Sequence, residues 1–386
     1  MKPRIKTSPS VRRVYRNFDV VLTLLVVGLC VFGLVIIPSA AEGLGYSPGA
    51  FKMQRFWVAS GVLIMLAAAF IDYQFICKFY IPIFIINIAL LLATFALKKI
   101  LNRDILREIG YPFYAAPQDM IISIMPSEFA KLFMIISLAK FIDVFRHKIN
   151  NVLVVGAVLA ATGLTFFLIA MQPSLSASLV IVFIMIVMLY AAKLSYRYFI
   201  IAALIVIPLI ILVSFDISSE DHKFLKMIGM KEYQIERLAD NPDSRYQAEK
   251  SQEAISSGRL TGNGLKSNPI YVPESTNDFI FAVIGSEFGF FGTMAVVLCG
   301  FLIVFKCLIT AWRSEIFLGK MLASGVGALF AFHIFLNVGV NTGIMPNTGI
   351  TFPFISVGGS SIWINMACIG LVLNVGMTKT KSIFEK

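Results

Sequence analysis

Charged side chains are scarce. Asp, Glu, Lys and Arg together make up 14% of the 386 residues. A soluble domain carries nearer a quarter, so a water-soluble globular fold is excluded. Histidine is scarcer still: His147, His222 and His333 are scattered along the chain, which argues against a zinc site. The five cysteines, Cys30, Cys77, Cys299, Cys307 and Cys368, lie in or beside apolar runs and never in the long polar segment. That excludes a disulfide framework and a CxxC metal site. No glycine-rich phosphate loop of the P-loop type is present, so neither a nucleotide nor a redox cofactor is expected. Alternation of apolar and polar residues is missing as well, which rules out a transmembrane β-barrel.

Continuous apolar sequence is abundant. Hydrophobic residues make up 58% of the chain and the mean hydropathy is +0.82. A membrane span needs about 20 mostly apolar residues. The chain therefore reads as an all-α integral membrane protein with about ten transmembrane helices. The spans fall near 18–38, 55–71, 75–97, 126–141, 152–171, 172–193, 198–215, 279–307, 321–340 and 361–377. Asp72, Tyr73 and Gln74 mark a tight turn between the second and third.

The formal charge of +11 would suggest nucleic acid in a soluble protein. Here it follows the positive-inside rule, and no nucleic-acid partner is expected. Lys2, Arg4, Lys6, Arg12, Arg13 and Arg16 precede the first span, and Lys379, Lys381 and Lys386 follow the last. Both termini are therefore expected in the cytoplasm, against anionic lipid, as tails 1–17 and 378–386 of a polytopic domain 18–377. The apolar run after Arg16 is long enough to span, so it reads as a retained helix rather than a cleaved signal. Residues 216–278 hold eleven acids and eight bases, net −3, and belong on the outer side. Within them, 246–255 could form an amphipathic helix on the membrane surface. Gly258, Gly262 and Gly264 mark a turn-rich connection.

A carboxylate inside a bilayer costs a few kcal/mol at least and is a functional candidate by default. Asp278 stands where the polar segment gives way to the eighth span, and Glu287 lies further along that span. Asp278 can be read as a helix N-cap or as a reactive group. Glu128 and Lys131 share one helix face, either as a self-neutralising pair or as part of a site. Glu287 would line a cavity wall and could pair with Lys131. Arg245, Arg259 and Lys266 are loop bases, suited to a solvated surface or to phosphate. Ser356, Gly358, Gly359, Ser360 and Ser361 fit either small-residue helix packing or a close backbone approach at a cavity rim.

Three segments carry a resemblance: Pro126-Ser-Glu-Phe-Ala-Lys131, Thr276-Asn-Asp-Phe-Ile-Phe-Ala-Val-Ile-Gly285 and Gly349-Ile-Thr-Phe-Pro-Phe-Ile-Ser-Val-Gly-Gly-Ser-Ser361. In this order, on a ten-span layout with the long loop before the eighth span, they resemble the SEDS family (shape, elongation, division and sporulation). Asn337 to Gly349 leans toward its RodA side. The resemblance implies a peptidoglycan glycosyltransferase of the bacterial cytoplasmic membrane. Its substrate would be lipid II, polymerised into glycan strands at the outer face with release of undecaprenyl pyrophosphate. The partner would be a class B penicillin-binding protein that cross-links the strands. Asp278 matches the family's catalytic aspartate. Lys131, Glu128, Glu287, Arg259 and Ser360 are candidates for pyrophosphate or cavity contacts. A divalent cation, magnesium or manganese, is compatible with a pyrophosphate leaving group, although the sequence shows no dedicated metal cage.

The chain departs from the family pattern in four places. Ser174 stands where an acid is usual, Ser286 precedes Glu287 where acids are paired, Val357 replaces a common tyrosine, and no Arg-Trp-Ile element precedes Pro126. A lipid II flippase and a non-catalytic scaffold are the alternatives to an enzyme.

Overall fold

The computed structural model describes residues 11–13, 17–42, 48–100, 109–112, 121–172, 175–217, 242–267 and 270–380. The basic residues Lys2, Arg4, Lys6, Arg16, Lys381 and Lys386, and the departure at Ser174, lie outside them, as do residues 218–241.

Twelve α-helices are found among the described residues. They are α1 (Val20–Glu42), α2 (Pro48–Phe70), α3 (Tyr73–Lys78), α4 (Tyr80–Ile100), α5 (Pro126–Val144), α6 (Val152–Ala170), α7 (Leu175–Ala191), α8 (Tyr196–Ile217), α9 (Pro242–Ser257), α10 (Ile280–Arg313), α11 (Phe317–Asn341) and α12 (Gly359–Met377). All but α3 and α9 occupy the positions read as spans. Six of them, α1, α2, α6, α10, α11 and α12, are long and apolar enough to cross a bilayer outright. Two short antiparallel ladders accompany the helices: β1 (Val11–Arg13) with β4 (Thr378–Thr380), and β2 (Ile109–Pro112) with β3 (Ile121–Ile124).

α11 and α12 are buried over 78% of their apolar windows, against 28% for α10. These two lie in the interior with much of α5 and α7, and the outer helices present leucine, isoleucine and phenylalanine to lipid. α8 is the extreme case, with Leu204, Ile205, Val206 and Ile207 all exposed round one turn. Polar side chains tie off helix ends. Asn374 of α12 donates to the carbonyls of Ala68 and Ala69 at 3.2 and 2.7 Å, serving acceptors that the last turn of α2 leaves without helical partners. Asp19 accepts from the Leu22 N–H at 3.0 Å and pairs with Lys306 of α10 at 3.0 Å.

The turn expected at residues 72–74 is instead the start of α3. Asp72 accepts from the Gln74 N–H at 2.9 Å, the ordinary N-cap bond, so a short helix begins there and breaks at Phe79 before α4. The expected surface helix is longer than 246–255 and docks on protein. α9 sets Ala254 and Ser251 against α10 and α11, and the Ser251 hydroxyl donates to the Asn341 carbonyl at 3.0 Å.

α10 is not one continuous helix. Gly289 has φ 63° and ψ −159°, and the glycine-rich connection after α9 is wedged into the break. The N–H groups of Asn263 and Gly264 donate to the carbonyls of Ser286 and Glu287 at 2.9 and 3.0 Å. The N–H groups of Phe290 and Phe291 donate to the carbonyls of Arg259 and Leu260 at 2.9 and 3.2 Å. A backbone group left unpaired at membrane depth costs several kcal/mol, so a broken helix survives there only with such replacements.

Candidate functional site

Asp278 ends a turn in which four consecutive residues are tied to three parts of the bundle: α1, the segment at 356–357 and α11. The Ser275 hydroxyl donates to the Ala40 carbonyl at the end of α1, 3.0 Å away. The Thr276 carbonyl accepts from the Val357 N–H at 3.0 Å, and the Asn277 carbonyl accepts from the Ser356 hydroxyl at 2.6 Å. The Asp278 carbonyl accepts from Asn337 and Asn341 of α11 at 2.8 and 3.0 Å. The backbone at Asp278 is thus fixed from three sides, while its side chain stays half-buried at the surface of the bundle.

The opposite wall is the segment 342–358 that joins α11 to α12. It has no regular structure, and its polar backbone is served by side chains. Asn337 donates to the Ile350 carbonyl at 2.7 Å, Gln54 of α2 to the Ser356 carbonyl at 3.2 Å, and Ser176 of α7 to the Thr348 carbonyl. The rings of Phe352 and Phe281 stack with centroids 6.3 Å apart. Gly349 has φ 70°, and a Cβ there would stand 3.4 Å from Asp278 Oδ2. Glycine brings this backbone close to the carboxylate.

The N-cap reading of Asp278 does not hold. α10 starts at Ile280, its cap position is Phe279, and no side chain caps it from there. The Ala282 N–H is taken by Asn341 Oδ1 at 3.1 Å and by the Phe279 carbonyl at 3.1 Å. The local reason is competition: the asparagine amide reaches the first turn from a neighbouring helix.

Lys131 and Glu128 do meet, at 2.6 Å, on the first turns of α5. The remaining polar partner of Lys131 is His333 Nε2 at 3.2 Å, and the ammonium group is buried, with Lys131 1% exposed. Lys131 is therefore not paired with Glu287. Glu287 is also 1% exposed and accepts from the Ser39 hydroxyl at the end of α1, beside the break in α10. The two acids take the nearer donors, one three residues from Lys131 and one on the adjoining helix.

Arg259 is exposed on the wedge loop, and Arg245 and Lys266 are exposed on α9 and beyond the loop. Ser360 is buried in the first turn of α12 and accepts from the Met125 N–H at 3.2 Å, joining α12 to the start of α5. The structure thus brings Asp278, Gly349 and Ser356 together. It places Lys131, Glu128 and His333 in a separate buried cluster and Glu287 at the helix break. Among the described residues no group of three or more His, Cys, Asp or Glu is arranged to hold a metal.

Sequence reading missed His333, Asn337, Asn341 and Gln54. A signal existed for three of them. His333, Asn337 and Asn341 are spaced by four in an apolar helix, which puts a polar stripe on one face.

Residues 16–381 match the FtsW/RodA/SpoVE family, described as cell cycle proteins. Over 385 residues the chain is 31% identical to a protein of Bacillus subtilis (strain 168) named probable peptidoglycan glycosyltransferase FtsW, covering 95% of this chain and 92% of that one. Among solved structures it is similar to a chain described under the structural coordination of polymerization and crosslinking by a peptidoglycan synthase complex. The TM-score there is 0.73 and the identity 24%, over 93% of this chain and 97% of the other. It is also similar to the rod shape determining protein RodA of Thermus thermophilus, with a TM-score of 0.65 and 22% identity over 94% and 97%. These likenesses do not separate the RodA side from the FtsW side. With nearly its whole length matched, this multi-pass membrane chain belongs to the FtsW/RodA/SpoVE family of cell cycle proteins, the SEDS family.

Proposed function

We propose that this protein is a peptidoglycan glycosyltransferase that polymerises lipid II, with Asp278 as general base. The observation that carries the reading is the placement of Asp278: backbone fixed from three sides, carboxylate off the helix and facing Gly349. A reacting carboxylate needs a rigid mount and a position that substrate can reach, and Asp278 is half-buried at the surface of the bundle. In the reaction the C4 hydroxyl oxygen of one GlcNAc attacks the anomeric carbon of the MurNAc of another lipid II. The bond from that carbon to the pyrophosphate oxygen breaks, and undecaprenyl pyrophosphate leaves with the electron pair. The hydroxyl proton passes to Asp278, and general-base help of this kind is worth roughly 10²–10⁴-fold in rate.

Cations stabilise a leaving pyrophosphate. Arg259 is exposed on the wedge loop and supports a contact there better than Lys131, which is buried against Glu128 and His333. The described residues do not form a metal cage, so magnesium or manganese would come with the pyrophosphate, and no step is assigned to it. Partnership with a class B penicillin-binding protein is supported by the solved relative from a peptidoglycan synthase complex. Formation of glycan strands from purified lipid II tests the proposal. Translocation of lipid II without strand formation would make the chain a transporter instead.

The buried cluster gives a second expectation. Removing one member of a buried ion pair leaves the other charged and uncompensated, at about 3–5 kcal/mol. Lys131→Ala should therefore lower membrane accumulation and thermal stability, with activity falling in step. Glu128→Gln keeps a hydrogen-bond acceptor for the ammonium group and should be milder. Thermal unfolding in detergent beside specific activity decides between them. A fully stable, inactive Lys131→Ala protein would return Lys131 to the substrate.

Orientation rests on the basic termini and the acidic 216–278 segment. All five native cysteines are free, and four are buried, so labelling of added ones reads cleanly. A cysteine at Ser267 should react with an impermeant thiol reagent in intact cells and one at Ser8 should not. The reverse pattern would invert the topology.

A further inference from the structure

In an α-helix each N–H bonds the carbonyl four residues back. The first rung of α10, extended by one turn, would join the Ala282 N–H to the Asp278 carbonyl. The Asn341 carboxamide stands between them. Its Nδ2 donates to the Asp278 carbonyl at 3.0 Å, and its Oδ1 accepts from the Ala282 N–H at 3.1 Å. Its orientation is fixed by its other neighbours. Nδ2 also donates to the Asn337 carbonyl at 2.9 Å, and Oδ1 also accepts from the Ser251 hydroxyl at 3.2 Å. Asn337, one turn earlier on α11, donates to the same Asp278 carbonyl at 2.8 Å and to the Ile350 carbonyl at 2.7 Å. Both asparagines are buried, at 1% and 0% exposure.

We propose that Asn341, assisted by Asn337, is a positioning residue that holds this rung open. Closing it directly would wind Asp278 into the first turn of α10 and swing its carboxylate away from Gly349. With the amide inserted, the helix starts at Ile280, Asp278 stays in the turn, and the Asn337 bond to Ile350 sets the distance to the opposite wall. The inference rests on the reading of Asp278 as general base.

Asn341→Ala lets the rung close, so every backbone group keeps a partner and the protein should still accumulate. Displacement of a reacting group by about 1 Å can cost on the order of 10²-fold. Polymerisation by Asn341→Ala should fall by about tenfold to a hundredfold in kcat, with the KM for lipid II near that of the unaltered protein. Asn341→Asp keeps the acceptor but loses the donor, and should fall similarly. The decisive readout is the same substitution in an Asp278→Asn background, where it should cost nothing further. An equal factor in both backgrounds means a general structural role and overturns the proposal. So does full activity of Asn341→Ala beside an inactive Asp278→Asn, which leaves the general-base reading intact. An active Asp278→Asn protein instead removes that reading. If Asn341→Ala does not accumulate, Asn337→Leu in the same cycle decides by the same two outcomes.

Discussion

Asp278→Asn should reduce lipid II polymerisation by roughly 10²–10⁴-fold, in kcat rather than KM, while membrane level and thermal stability stay near those of the unaltered protein. Asparagine keeps the size and much of the hydrogen bonding of aspartate but is a very poor base. The separation of activity from stability follows from how the turn is held. Its anchors are the Ser275 hydroxyl and the main-chain carbonyls of Thr276, Asn277 and Asp278, all of which survive the substitution. The helix that follows draws its side-chain capping bond from Asn341, so removing the charge at Asp278 does not uncap it. Loss of stability in step with activity would restore a capping role. Near-normal synthesis by a well-folded variant would take Asp278 out of the mechanism.

Gly289→Ala should produce a large loss of stability. At φ 63° and ψ −159° the backbone sits in a region essentially restricted to glycine, worth about 1–3 kcal/mol on its own. A Cβ would also run into the backbone of Leu260 and Gly262, which is the wedge that serves the broken helix. Expelling that wedge would leave the Ser286 and Glu287 carbonyls and the Phe290 and Phe291 N–H groups without partners at membrane depth. The variant should fail to accumulate, or unfold at a much lower temperature in detergent. Gly163→Ala is the control. It lies in α6 with nothing within 4 Å of the added methyl, and should be neutral or slightly stabilising. Equal behaviour of the two variants would mean that the break is not held by the wedge.

Both substitutions bear on what could be read before the structure. The long helices were legible because lipid demands continuous apolar sequence, and each run was found close to its helix. The junction at Asp278 was legible because polarity changes there abruptly. The break at Gly289 was not, since glycine is common in membrane helices and nothing local distinguishes this one. What breaks the helix is a loop some 25–30 residues earlier, and its pairing is backbone to backbone, without a side-chain signature. The polar stripe carrying Asn341 was visible, but its insertion was not, because its partners Asp278 and Ala282 lie about 60 residues away. The pairing of Lys131 with Glu287 failed on proximity. Glu128 lies one turn away on the same helix, whereas Glu287 would have had to compete from another.

Strand formation by the purified protein in vesicles, with lipid II as the sole added substrate, tests the enzymatic reading most directly. The expected result is glycan strands longer than a disaccharide, with one undecaprenyl pyrophosphate released per bond formed. Lipid II blocked at the GlcNAc C4 hydroxyl should give neither product, because no acceptor oxygen remains to attack. Absence of strands and pyrophosphate release from a folded, correctly inserted protein, with or without a penicillin-binding partner, would contradict the assignment.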